Sequence, residues 1–149
     1  MLATEVQQRS SRKDVPGSDL VSHWADSAFA AVSDGTGEVT IRIVDREEGA
    51  ELNRKYRNGD GATNVLSFDY ANDPHLPAGV LGDIVICAPV VSEEASIQHK
   101  EADAHWAHMV VHGVLHLCGY DHAEEEDACV MEALETDILS RLGFAAPYA

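Results

Sequence analysis

The stretch His112-Gly113-Val114-Leu115-His116-Leu117-Cys118-Gly119-Tyr120-Asp121-His122 constrains the chain more than any other. Two histidines four residues apart in an apolar run share one face of a helix, with imidazoles about 6 Å apart, which is chelating distance. Gly119 can end that helix in a left-handed conformation and turn the chain back, bringing His122 toward the pair. Three neutral imidazoles around one divalent ion, with a coordination position left for water, make a catalytic zinc arrangement rather than a closed structural one.

The spacing H-x-x-x-H-x-x-G-x-x-H is similar to that of the metzincin proteases. In those enzymes a glutamate follows the first histidine and serves as general base. Here Gly113 stands in its place, with no proton acceptor, which disfavours peptide hydrolysis by that route and leaves other metal-assisted hydrolysis open. His105 and His108 extend the helical face, and His108, four before His112, is a formal alternative ligand. Otherwise both close the helix start, act as hydrogen-bond partners behind the ligands, or face solvent. Asp121 can orient a ligand imidazole or cap the next helix.

At 149 residues, 45% hydrophobic and 24% charged, the chain has the size and composition of one globular domain with a core of its own. It contains no run of about 20 apolar residues and no basic-then-apolar leader, so no membrane association is expected and a cytoplasmic location is the default. Cys87, Cys118 and Cys129 are odd in number and read as buried free thiols. A net charge of −16 argues against polyanion binding in general. Its distribution weakens that argument. Eight acids lie between Asp121 and Asp137, whereas Arg42, Arg46, Arg54, Lys55 and Arg57 gather five of the ten basic residues in one region. An acidic helix and a local basic surface would present a polyanion with one orientation.

Taken in order, Leu2, Thr4 and Val6 alternate as a short edge strand. Arg9 to Gly17 reads as a loop, and Asp19 to about Ser33 as a helix capped by Ser18. Glu38 to Asp45 alternates with Val39, Ile41 and Ile43 toward one face. Asp45 and Glu48 suggest a capping box for a helix to about Tyr56, and residues 57–61 break the chain. Asn64 to Tyr70 and Val80 to Cys87 are strands, most simply antiparallel neighbours, joined by a loop with Pro74 and Pro77. Helices follow over Val90 to Gln98, Ala102 to Leu117 and Glu124 to Leu142, the last with Ala128, Met131, Leu134, Ile138 and Leu142 inward. Strands early and helices late predict a single α+β domain, a mixed sheet of about four strands packed with about five helices.

Three blocks together carry a resemblance: His112 to His122, which fits H-G-x-L-H-L-x-G-Y-D-H throughout; Tyr56-Arg57 with Thr63 to Phe68; and Leu81 to Ile86. In this order they resemble the YbeY family of bacterial rRNA maturation factors, metal-requiring single-strand-specific endoribonucleases, over the chain from about residue 38. The resemblance implies that His112, His116 and His122 hold one zinc ion, Zn2+, and that Arg57 is a functional residue facing them. It further implies that the whole chain, 1–149, is one endoribonuclease domain acting on single-stranded rRNA rather than DNA. Trimming of the 3′ end of small-subunit rRNA, ribosome quality control and contact with the ribosome or its proteins follow from the same likeness.

From the residues alone, Arg57 offers a planar donor fork suited to phosphate, against an ordinary surface ion pair at a helix end. His112 and His116 count as catalytic through the ion they would share. No general base is visible, so either a metal-activated water or the ribose 2′-hydroxyl can be the nucleophile. Two other classes are open: another metal hydrolase such as a protease or deamidase, and a ribosome-associated assembly protein with a structural metal. Asp83 and Thr63 read mainly as architecture, and Tyr120 as a packing residue with a polar tip.

Overall fold

The computed structural model describes residues 1–70 and 73–148. Its elements run β1 (Leu2–Gln8), α1 (Ser18–Val32), β2 (Gly37–Val44), α2 (Arg46–Arg57), β3 (Val65–Asp69), β4 (Val80–Cys87), α3 (Ala88–Ile97), α4 (Ala102–Leu117) and α5 (Glu125–Arg141). The strands form one mixed sheet in the order β1-β2-β4-β3, with β1 and β4 parallel to β2 and β3 antiparallel to β4. The α+β architecture expected from the order of strand and helix patterns is therefore the one observed. The expected non-helical connection between β3 and β4 lies partly outside the described residues, which omit 71 and 72.

Alternation along β4 sorts its side chains between two apolar clusters. Ile84 and Ile86 enter the main core with Val39, Ile41 and Ile43 of β2, Trp24 of α1, Val110 and Val114 of α4, and Met131 and Ile138 of α5. Val85 and Cys87 join Val44 and Leu66 in a smaller cluster under Leu52 of α2 and Phe68 of β3. Ile84 and Ile86 are wholly inaccessible, and full burial of one such side chain contributes about 1.5–3 kcal/mol. Helix α4 is buried along almost its whole length, from His105 to Leu117, because α1, α3 and α5 flank it while β3 and β4 lie beneath it. It is the rigid spine on which two of the three histidines are mounted.

Several local expectations give way to longer-range partners. Ser18 does not cap α1; it is the first helical residue, and Gly17 occupies the capping position without a side chain. Asp45 does precede α2, yet it caps nothing through its side chain. Its carboxylate accepts hydrogen bonds from the Ser10 hydroxyl at 2.5 Å and from the Ser11 amide and hydroxyl at 2.9 and 2.7 Å, tying down the loop before α1 instead. Arg57 belongs to the last turn of α2, and the chain breaks one residue later, at Asn58 with φ 54°. Of the cysteines only Cys87 is buried; Cys118 is half-buried and Cys129 exposed, since its position on α5 faces outward. The basic region is also smaller than its sequence suggests. Arg42 is paired with Glu48 at 2.5 Å and Arg46 with Glu93, leaving Arg54, Lys55 and Arg57 at the end of α2.

Candidate metal centre

The end of α4 is built by hydrogen bonds that require a left-handed residue. Gly119 takes φ 99°, its amide donates to the His116 carbonyl, and the Tyr120 amide donates to the Leu115 carbonyl, each at 3.1 Å. This pair of bonds closes the helix and reverses the chain. Asp121 then accepts the His122 amide at 2.7 Å, holding the bend that carries the third ring.

The three rings close a nearly equilateral triangle. Ring centroids stand 5.4 Å apart for His112 and His116, 5.2 Å for His112 and His122, and 5.3 Å for His116 and His122. One nitrogen from each lies within 4.8 Å of the others. Tetrahedral zinc at about 2.0–2.1 Å from each ligand sets nitrogens roughly 3.4 Å apart, so small side-chain rotations suffice and the donor set fits such an ion. Exposure is graded across the triangle: the side chains are 18% exposed for His112, 32% for His116 and 57% for His122, so the centre opens to solvent on the His122 side.

Burial favours the neutral form of His116. Burial, then the charges of His112 and His122, and more weakly Arg57, hold the His116 pKa below its usual value against the opposing pull of Asp121. Asp121 lies 4.0 Å from His116 Nε2 and 3.9 Å from His122 Nδ1, beyond hydrogen-bonding distance. It shapes the bend, and the following helix starts without its help, with Glu124 at the capping position.

Arg57 lines the same cleft, of about 460 Å³, as Thr63, Asn64 and the three histidines. Its guanidinium donates to the Ser67 carbonyl and lies over the Phe68 ring, 4.9 Å from the centroid. That placement replaces the surface ion pair considered from the sequence. Asp83 accepts the Tyr70 hydroxyl at 3.0 Å, and Tyr120 packs against the main core.

His105 and His108 stand outside the triangle and are buried. His105 Nε2 lies 2.9 Å from Glu94, whose carboxylate also accepts the Asn64 amide, and His108 Nε2 lies 2.5 Å from Glu135. Neither helix-start closure nor solvent exposure applies. Glu135 is the residue that sequence reasoning missed. It is 1% exposed and faces His108, the Tyr148 hydroxyl at 3.0 Å and His112 Nδ1 at 3.5 Å. Burial raises its pKa, but hydrogen bonds from His108 and His112 and attraction to them outweigh this and lower it to about 2. The available signal was its position, four after Met131 and three before Ile138 on the inward stripe of α5, where a carboxylate needs a partner.

Comparison with known proteins identifies the family. The family model described as Endoribonuclease YbeY matches residues 5–143. The proteins named Endoribonuclease YbeY from Coxiella burnetii (strain Dugway 5J108-111) and Nitrosomonas eutropha are similar throughout. The first is 47% identical over 99% of both chains, the second 50% identical over 96% of both. That of Cellvibrio japonicus is 48% identical over 97% of this chain and 81% of its own. A solution structure of a Thermotoga maritima protein superposes with a TM-score of 0.60 at 26% identity, covering 93% of this chain and 91% of that one. With the family model matching nearly the whole chain and relatives 47–50% identical over most of their length, the chain belongs to the YbeY family of endoribonucleases.

Proposed function

We propose that the chain is a zinc-dependent endoribonuclease that cuts single-stranded RNA, acting in the cytoplasm on the 3′ end of small-subunit rRNA and in ribosome quality control, in contact with the ribosome. The observation that carries this reading is the convergence of His112, His116 and His122 in one cleft with Arg57. Family membership supplies the substrate class, since the relatives are named endoribonucleases.

His112, His116 and His122 would hold the ion through neutral ring nitrogens. When bound, zinc polarises a phosphoryl oxygen and acidifies water. Arg57 presents its remaining guanidinium N–H groups to a phosphate oxygen, with Phe68 and the Ser67 carbonyl fixing its plane. The half-buried position of His116 lowers its pKa and so favours the unprotonated ring that a metal ligand needs. The lack of a carboxylate at Gly113 separates the site from protease chemistry.

The test is metal analysis of the purified protein with RNA and peptide cleavage assayed before and after chelation. Stoichiometric zinc with RNA cleavage that chelation abolishes is expected. Arg57→Ala and His116→Ala should both abolish cleavage, and only His116→Ala should remove the metal. Stoichiometric zinc in the His116→Ala protein, or cleavage of peptide rather than RNA, would overturn the reading. Metal-free protein that binds ribosomes, with RNA cleavage insensitive to both substitutions, would instead indicate an assembly factor.

A further inference from the structure

We infer that Glu135 is a positioning residue for the metal centre, dictating which nitrogen of His112 faces the ion. The inference rests on reading the three histidines as a metal site. Glu135 Oε1 lies 3.5 Å from His112 Nδ1, the outer limit of a hydrogen bond in which an ionised carboxylate can only accept. A proton held on Nδ1 leaves Nε2 with the free lone pair, so the ligand nitrogen of His112 is Nε2.

The carboxylate is itself held by two further groups. His108 Nε2 donates to Oε2 at 2.5 Å, and the Tyr148 hydroxyl lies 3.0 Å from Oε1 and 3.1 Å from Oε2. His108 comes from α4, Tyr148 from the segment after α5, and Glu135 from α5 itself. A buried carboxylate with so many donors has little freedom to rotate, and it transfers that rigidity to the one ring it touches in the triangle. Asp121, another acid near the ligands, is 57% exposed and 3.9 Å or more from the ring nitrogens of His116 and His122, and Asp69 lines the cleft as well. The buried Glu135 reaches a ligand ring within hydrogen-bonding distance. It also gives the chain beyond α5 a task, since Tyr148 docks on the back of the site.

A purely structural carboxylate would contribute to folding and leave a folded protein's metal affinity unchanged. The comparison uses the full chain, apo protein titrated with Zn2+ against a chromophoric chelator and with Co2+ for its visible absorption. Wild type should bind one equivalent and His116→Ala should not. Glu135→Gln should weaken zinc by about tenfold to a hundredfold and alter the Co2+ bands while its circular dichroism stays native. Wild-type affinity and bands in Glu135→Gln, beside a wild type that binds normally, would overturn this inference and leave the metal site standing. A wild type that takes up no metal would remove the site and the inference together. Should Glu135→Gln fail to fold, imidazole nitrogen NMR of the zinc-loaded wild type decides: His112 protonated on Nδ1 is expected, and His112 coordinating through Nδ1 would refute the assignment.

Discussion

A methyl group on Gly113 would lie 3.0 Å from both Cδ1 and Cγ2 of Ile84, so α4 meets the sheet at a residue with no side chain. Ile84 is wholly inaccessible and sits on β4, an interior strand, so it has little room to yield. Gly113 thus has a packing role beyond the missing protease glutamate, and a larger residue there would push the helix carrying His112 and His116 off the strand. Gly113→Ala should cost about 1–3 kcal/mol through overpacking, offset by at most about 1 kcal/mol of helix propensity. Urea unfolding of the two proteins measures the balance, and a more stable Gly113→Ala protein would contradict it.

Gly82 is the tighter constraint on the other side of the site. It adopts φ 152°, and a Cβ there would stand 2.0 Å from the Phe68 carbonyl oxygen across the β3–β4 pair. The strand pairing of Asp69 with Gly82 places these backbones face to face, beside a register shift in the β2–β4 ladder. Gly82→Ala should destabilise the fold by about 3 kcal/mol or more, because backbone must move rather than a side chain. Since Ser67 and Phe68 seat Arg57, cleavage should fall along with the melting temperature, and a variant with wild-type stability would rule this out.

These two glycines show where local pattern stopped being informative. Helix α4 was legible to its end residues because an apolar run, two histidines at four-residue spacing and Gly119 all act within one helix and its stop. The inward alternation of Val39, Ile41 and Ile43 was legible for the same reason. Asp45 looked like a cap because Glu48 follows three residues later, but Ser10 and Ser11 compete for its carboxylate from far away in sequence. Glu135 was hidden among the eight acids from Asp121 to Asp137, and its partner ring lies 23 residues upstream. His105 and His108 stayed open for the same reason: Glu94 and Glu135 come from α3 and α5, and only packing brings them together.

The seat of Arg57 predicts how that residue tolerates substitution. Its guanidinium spans the Ser67 carbonyl and the Phe68 face at once, which a lysine ammonium cannot reproduce because it is neither planar nor forked. Arg57→Lys should keep the charge and the bound metal yet lose about 100-fold or more of the cleavage rate, the scale set by one transition-state donor. Single-turnover RNA cleavage with parallel metal analysis separates the two effects. Near wild-type rates in Arg57→Lys would reduce the role of Arg57 to that of a diffuse positive charge.

Removing the metal should expose a pH dependence set by the buried His105 and the half-buried His116. Burial holds the His105 pKa below 6.5, with Glu94 only partly countering it, and His116 shifts the same way. Between the folded value and 6.5 the unfolded chain binds more protons than the native one, so native stability falls as pH falls through that window and is recovered above it. Each group contributes a slope of at most about 1.4 kcal/mol per pH unit. Urea unfolding of chelator-treated protein from pH 7 to pH 5 should show this decline, and His105→Gln should flatten it by removing one of the titrating rings. Chelation beforehand matters, because acid also expels a histidine-bound metal. A stability that stays level over this range in the metal-free wild type would mean that neither ring is held neutral by the fold.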